Sequence, residues 1–422
     1  MKQIAITLLF FTFLAAKAQQ PVALTIDQAY QLAKKNYPLI KQRELLFKTK
    51  DYTVENASKG YLPALSFSGQ ATYQSDVTAF PVKFTLPGIL FPPLSKDQYK
   101  VYGEIDQLVY DGGIIHNQKE TAISNEAIQQ ENLEVSLYSL YDRINQLFFG
   151  ILLMDEQIKQ NELVKKDIQN GIDKTKAQVA NGTAYRSSVA ELEAQLLQAD
   201  QARVEYQATR KAFLEMLAQF INLSPETTIT LEKPAELSLI ENINRPELVL
   251  YDYQKKSYDL QDQMLNIQLR PKFSFFFQGG YGRPALNALD NNFQWYYIGG
   301  LRLNWNLGSL YSLKNQREVL DLNRKNVDVQ KETFLFNTRL SQRQENTTLE
   351  KYRDMVKTDE QIIPLRESVK LAASAQLENG VLSPHDYLSQ VNAEDIARRL
   401  QILHQMELLK AQYNYQFITG NH

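Results

Sequence analysis

Cysteine is absent from all 422 residues of the chain. This excludes disulfides, thiolate metal sites, a cysteine nucleophile and a lipid anchor on an N-terminal cysteine. Histidine is scarce. His116, His385, His404 and His422 form no His-Glu-x-x-His pair and have no second ligand at metal spacing. Neither sign of charge is in excess: 46 Lys and Arg stand against 48 Asp and Glu, and no basic block offers a surface to nucleic acid. Past the N-terminus no stretch approaches the ~18 consecutive apolar residues of a spanning helix. Gly279-Gly280-Tyr281-Gly282 lacks the lysine and following helix of a phosphate loop and reads as small residues in a strand. With no nucleophile–base pair or convergent carboxylates either, the sequence predicts no enzyme: no catalytic, cofactor-binding or metal-binding residue is assigned.

What is present begins with an address. Lys2 is a short positive segment, Ile4 to Ala15 is apolar, and Ala16-Lys17-Ala18 has the small-x-small form of a cleavage site. This predicts a signal peptide over 1–18, cleaved after Ala18. The exported protein is then either soluble or crosses a membrane as β-strands.

The chain also repeats itself. Tyr61-Leu62-Pro63-Ala64-Leu65-Ser66-Phe67 returns as Leu269-Arg270-Pro271-Lys272-Phe273-Ser274-Phe275, and the prolines of Pro63/Pro271 and Pro38/Pro246 are each 208 apart (271 − 63, 246 − 38). Asn117-Gln118-Lys119 matches Asn315-Gln316-Arg317, and Asn181-Gly182 matches Asn379-Gly380, both at 198 (315 − 117, 379 − 181). Gln219-Phe220-Ile221 answers Gln416-Phe417-Ile418. Matches in the same order imply one duplicated unit.

Two periods alternate within each copy. Leu65, Phe67, Gly69, Ala71 and Tyr73 alternate with Ser66, Ser68, Gln70, Thr72 and Gln74, the two-residue period of a strand with one apolar face. In the second copy Trp295, Tyr297, Leu301, Leu303, Trp305 and Leu307 oppose Gln294, Arg302, Asn304 and Asn306. Elsewhere the spacing is helical. Leu137, Leu140, Ile144, Leu147, Ile151, Met154 and Ile158 recur every 3.5 residues on average, the seam of a left-handed coil. No proline interrupts residues 114–180, where Gly150 and Gly171 are the only weak points; Pro364 should kink the matching helix of the second copy.

The predicted first repeat, 19–222, has a helix over 25–60, strands over 64–80 and 98–111, and helices over 114–180 and 184–222. A linker covers 223–244. The second repeat, 245–422, has a helix over 246–268, strands over 271–283 and 293–308, and helices over 312–378 and 384–418. The fold class is mainly α with a transmembrane β part. One chain cannot close four strands into a transmembrane barrel, and open edges cannot face lipid. Two chains would give eight strands and three would give twelve. Tyr99, Tyr102, Tyr110, Trp295, Tyr296, Tyr297 and Trp305 near strand ends suit an interfacial aromatic girdle. Glu104, Asp106 and Arg302 lie on polar strand faces and should point into the barrel lumen, because charge on a lipid face is costly. A different class, an exported coiled-coil scaffold or adhesin without a pore, predicts less regular strand alternation.

Leu24-Thr25-Ile26-Asp27-Gln28-Ala29-Tyr30, followed by Asn36-Tyr37-Pro38-Leu39, resembles the opening signature of the TolC family of outer-membrane efflux proteins. Tyr61-Leu62-Pro63-Ala64-Leu65-Ser66 resembles that family's helix-to-strand passage, and Val109-Tyr110-Asp111-Gly112-Gly113 its strand-to-helix exit. Asn379-Gly380 resembles its distal helical turn. The resemblance implies a homotrimer whose twelve-stranded barrel in outer-membrane lipid continues as a twelve-helix barrel across the periplasm. It also implies a passive exit duct for efflux or type I secretion, joined through a periplasmic adaptor protein to an inner-membrane transporter. At the tip, Asp386 falls where the family often has a constriction aspartate, while Ser389 stands where a second would fall. Asp386 reads equally well as a solvated carboxylate in a first helical turn. Asn181, Gly182, Tyr185 and Arg186, with Asn379 and Gly380, form the predicted tip. Tyr185 and Arg186 read as latches to the neighbouring hairpin, as adaptor contacts or as plain surface.

Overall fold

The computed structural model describes residues 22–78, 95–224 and 229–421. In chain order the first half forms β1 (Val22–Leu24), α1 (Ile26–Asn36), α2 (Gln42–Ser58), β2 (Ala64–Tyr73), β3 (Asp97–Tyr110), α3 (Ile114–Tyr138), α4 (Leu140–Ala180) and α5 (Arg186–Ile221). The second half forms β4 (Ile229–Leu231), α6 (Pro246–Gln268), β5 (Lys272–Arg283), β6 (Gln294–Asn304), α7 (Leu310–Glu378) and α8 (Pro384–Thr419). The order helix, two strands, two long helices thus occurs twice. The predicted signal peptide, residues 79 and 80 of the first expected strand, and residues 225–228 of the expected linker lie outside the described residues. No helix among the described residues is long and apolar enough to cross a membrane.

The chain divides into two units. One comprises Lys41–Glu134 and Glu247–Phe334 and holds an antiparallel sheet in the order β2-β3-β5-β6. Its register pairs Ser66 with Glu104, Glu104 with Gln278 and Ser274 with Arg302, with an irregularity between Leu108 and Tyr110. In β3 and β5 alternation separates exposed Tyr99, Val101, Ile105, Phe273, Phe275, Phe277 and Tyr281 from the half-covered Glu104, Asp106, Ser274, Phe276 and Gln278. Alongside, α6 and α7 run antiparallel under a ladder of ion pairs. These are Lys331–Asp252 at 2.8 Å, Lys255–Asp328 at 2.7 Å, Arg324–Asp259 at 3.0 Å and Arg317–Asp262 at 3.3 Å. Each such surface pair contributes under ~1 kcal/mol, so the ladder sets register more than it stabilises.

The bend from β3 into α3 rests on one carboxylate. Asp111 is buried; its Oδ1 accepts from the Gly113 N–H at 2.8 Å and its Oδ2 from the Ile115 N–H at 2.6 Å. The backbone between turns left-handed, with φ of 74° at Gly112 and 102° at Gly113, which only glycine adopts freely. Arg270 Nη1 closes the bend by donating to the Gly112 carbonyl at 2.9 Å. After β6, Asn306 Oδ1 accepts from the Gly308 N–H at 3.0 Å in the same way.

The other unit comprises the residues up to Ile40, Val135–Pro246 and the residues from Leu335 onward. Here β1 pairs in parallel with β4, Val22 to Ile229 and Leu24 to Leu231. A capping box starts α1: Thr25 Oγ1 accepts from the Gln28 N–H at 3.3 Å, and Gln28 Oε1 accepts from the Thr25 N–H at 3.1 Å. Leu24, Ile26, Ala29 and Ala33 pack into a core with Ile144, Phe148, Ile151, Leu217, Ile221 and Tyr413. On the expected seam Leu137, Leu140, Ile144, Leu147 and Ile151 are buried, while Met154 and Ile158 are half-buried. Each fully buried Ile or Leu stabilises by about 1.5–3 kcal/mol.

Several expected elements need correction. The helix expected over 25–60 breaks at Pro38, because the residue before a proline is pushed out of the helical region; Tyr37 sits at φ −62°, ψ 129°. The helix expected over 114–180 is interrupted at Ser139, whose Oγ donates to the Ser136 carbonyl and competes with the helical ladder. By contrast α7 passes Pro364 as one element. The strand expected over 64–80 ends at Tyr73, followed by an aspartate turn in which Asp76 Oδ1 accepts from the Val77 N–H. The strand expected over 293–308 ends at Asn304, and Trp305 donates instead to the Leu269 carbonyl at 2.8 Å. The expected linker 223–244 contains β4. Gly150 and Gly171 are close-packing points rather than weak ones: a Cβ at Gly150 would lie 2.8 Å from the Phe213 ring, and one at Gly171 2.6 Å from the Tyr387 ring.

Asp111→Ala should lower stability by about 1–3 kcal/mol, since it leaves two N–H groups at a buried bend without their acceptor. Thermal melting by circular dichroism measures this, and Asp111→Asn should recover part of the loss.

Candidate functional site: a charged strand face and two helical turns

The three charges expected on a polar strand face are brought together. Arg302 on β6 reaches across β5 to β3, where its Nη1 lies 2.8 Å from Asp106 Oδ2 and its Nη2 2.9 Å from Glu104 Oε1. Ser274 Oγ on the intervening strand donates to Asp106 Oδ2 at 3.1 Å. The guanidinium carbon stands 4.6 Å from the centre of the Phe276 ring. Strands lie about 4.8 Å apart, so Arg302 and the two carboxylates together bridge the two spacings from β6 to β3. The opposite face carries the apolar residues: Leu65 is 76 % exposed, Phe67 80 %, Trp295 81 % and Leu301 77 %.

The helical unit ends two hairpins in the same motif. Gly182 has φ 75°, its N–H donates to the Val179 carbonyl at 3.1 Å, and the Thr183 N–H donates to the Gln178 carbonyl at 2.9 Å. Gly380 has φ 70°, with the Gly380 N–H on Leu377 at 3.0 Å and the Val381 N–H on Gln376 at 2.9 Å. Both are Schellman closures, which need a left-handed residue where glycine stands.

Side chains couple the two turns. Lys174 Nζ is 3.1 Å from Ser374 Oγ and 2.9 Å from Glu378 Oε2, and Gln178 Nε2 donates to the Leu377 carbonyl. Lys370 Nζ lies 2.8 Å from Asp167 Oδ2 and 3.5 Å from the buried Glu394, which Arg398 also meets. The Tyr387 hydroxyl donates to the Asp167 carbonyl at 2.9 Å; burial, followed by the Asp167 charge, pushes its pKa up to about 12. Asp395 accepts from Gln160 Nε2 at 3.1 Å, and burial raises its pKa against the pull of Gln160 and Arg399.

Asp386 stands in the first turn of α8. Ser383 caps that helix: its Oγ lies 3.2 Å from the Asp386 N–H and donates to Asp386 Oδ2 at 2.6 Å. Asp386 and Ser389 are both exposed, three residues apart and so on one helix face. Tyr185, 81 % exposed, and Arg186 are also at the surface, and their side chains make no hydrogen bond or ion pair among the described residues. Asn379 Nδ2 bonds back to the Ala375 carbonyl at 2.9 Å. His385, unassigned in the sequence, links the hairpins: its Nδ1 lies 2.7 Å from Glu191 Oε1. Reading alone also missed Lys174, Lys370, Glu394 and Tyr387. The available signal was Gly171, a glycine inside a long helix, which marks where Tyr387 presses close.

Four strands with one apolar and one charged face are thus joined in sequence to long paired helices. Residues 29–223 match the family model of outer membrane efflux proteins. The fold is shared with VceC of Vibrio cholerae, with a TM-score of 0.65 at 13% identity over 94% of this chain and 96% of that one. It is shared with the CmeC outer membrane channel of Campylobacter jejuni at 0.63 and 13%, over 100% and 94%. The MtrE outer membrane channel of Neisseria gonorrhoeae, solved in its open state, gives 0.60 and 14%, over 94% and 89%. No curated protein matches in sequence. The resemblance to outer membrane efflux proteins of the TolC kind is thus shown, by sequence over residues 29–223 and by fold over nearly the whole chain.

The hydrogen bond and charge of Glu191, with a smaller contribution from Asp386, raise the His385 pKa above its ordinary 6.5. Since the folded value exceeds the unfolded one, the pair's contribution is fully present below about pH 6.5 and is lost as pH rises through the folded value. An NMR titration should show His385 holding its proton above the usual range, and Glu191→Gln should return it toward 6.5.

Proposed function

We propose that three copies of the chain close a twelve-stranded barrel in the outer membrane and that their helices continue it as a twelve-helix periplasmic tunnel. The observation that carries this is the apolar strand face, exposed in a sheet whose outer strands β2 and β6 each pair on one side only among the described residues. In lipid that face is satisfied, while unpaired backbone groups would cost several kcal/mol each. The strands alternate in direction from β2 to β6, so β6 of one copy meets β2 of the next antiparallel and the ring closes without a mismatch. A scaffold without a pore would leave the aromatic face in water.

The assembly acts as a passive exit duct of a tripartite efflux or type I secretion system. An inner-membrane transporter supplies energy and delivers cargo through a periplasmic adaptor protein. Export with cleavage after Ala18 brings the chain to the outer membrane. The two helical turns form the periplasmic end. There threefold symmetry gathers three Asp386 carboxylates, with Ser389 one turn behind, into a constriction that attracts cations. Tyr185 and Arg186, exposed beside Asn181 and Gly182, face the adaptor.

The native mass of the detergent-extracted protein should equal three chains. A stable monomer soluble without detergent would sink the barrel. In planar bilayers Asp386→Asn should weaken block by multivalent cations; unchanged block removes Asp386 from the constriction.

A further inference from the structure

The lumenal strand face carries five charged residues among those described: Lys100, Glu104, Asp106, Lys272 and Arg302 follow the same alternation. Glu104 and Asp106 are two residues apart on one strand, so their carboxylates stand about 7 Å apart on one face. Unopposed, they repel each other and leave two negative charges toward the lumen. Arg302 places one guanidinium nitrogen on each. Its position is fixed by the two carboxylates and by the Phe276 ring beneath it, while Ser274 fixes Asp106. Lys100 and Lys272 make no ion pair among the described residues.

We infer that Arg302 sets the ion preference of the strand-lined part of the duct. By cancelling one of two clustered carboxylates in every copy, it keeps the lumen from becoming a cation-selective ring. The inference rests on the duct reading above. With three copies, losing Arg302 uncovers six carboxylates around one level of the lumen, whereas losing Glu104 and Asp106 leaves three guanidiniums there. Such a ring acts on passing ions over the screening length, ~30 Å at about 10 mM salt and ~3 Å at about 1 M. The preference should therefore appear in dilute salt and fade in concentrated salt.

The test is the cation-to-anion permeability ratio from reversal potentials in a KCl gradient, with every protein carrying Asp386→Asn so that the turns add no carboxylate ring. Arg302→Gln should raise the ratio about twofold or more at ~10 mM and little at ~1 M. Glu104→Gln with Asp106→Asn should lower it, and Arg302→Lys should leave it near the parent value. Native mass confirms assembly of each variant. An unchanged ratio in either Arg302→Gln or the double carboxylate variant overturns the inference, as does failure of both to assemble, which would make the cluster a folding element. Absence of any conductance from the parent protein would instead count against the duct itself.

Discussion

The backbone hydrogen bonds left open, among the described residues, at the two edges of the four-stranded sheet constrain everything else about this protein. A hairpin can tolerate an open edge in water, where solvent takes the unpaired N–H and C=O groups. Beneath an apolar face that exposes Leu65, Phe67, Trp295 and Leu301, water is the wrong medium for the side chains and lipid is the wrong medium for the edges. Closure by further copies resolves both demands together. An even number of strands per chain is required for it, since identical chains with an odd number would meet parallel at every joint between copies. The arithmetic of strands does not fix the number of copies. In the proposed trimer that choice falls to the helices, whose two hairpins per chain must surround the same axis.

The duplication solves each backbone problem twice, with residues that are similar in chemistry rather than identical. Asp111 and Asn306 both fold a side-chain oxygen onto a following N–H where a strand gives way to a helix. Gly182 and Gly380 both take the left-handed position that closes a hairpin. The copies diverge where side chains face outward. α8 begins with a serine cap, a proline and Asp386, whereas α5 begins at Tyr185 with no side-chain cap. Divergence there gives the two turns different surfaces, and pairs such as His385–Glu191 and Lys174–Glu378 depend on that difference.

Much of this was legible because it is local. The strand alternation, the seam from Leu137 to Ile151 and the glycine turns are patterns within a few residues, and such patterns act before tertiary contacts form. What stayed hidden depends on distance along the chain. The pairing of Val22–Leu24 with Ile229–Leu231 joins segments too short to carry a period of their own. The break at Pro38 was misjudged because the apolar spacing continues through it. Arg302, Glu104 and Asp106 could be assigned to one kind of face, but their meeting is set by the β3–β5–β6 register, which no local pattern encodes. Tyr387 behind Gly171 is the same case, a contact between two helices seen in sequence only as a missing side chain.

In the proposed duct the placement of charge follows from what a conduit must avoid. At two carboxylate sites a cation is bonded: Arg302 to Glu104 and Asp106, and Lys370 with Arg398 to Glu394. Asp386 differs. Its hydrogen-bond partner is the Ser383 hydroxyl; no ion pair to it is formed among the described residues, and its charge acts on the neighbouring His385 only weakly beside that of Glu191. A carboxylate left without a counter-charge at an exposed helix start gains from the helix dipole but remains available to an outside cation. In a duct, compensation along the wide strand-lined section lets cargo of either sign pass, while an uncompensated carboxylate belongs where the passage narrows and few ions stand within a screening length. The difference between Arg302-bound Asp106 and Ser383-bound Asp386 is therefore the physical basis for assigning them different roles, although both are aspartates on a surface that faces water.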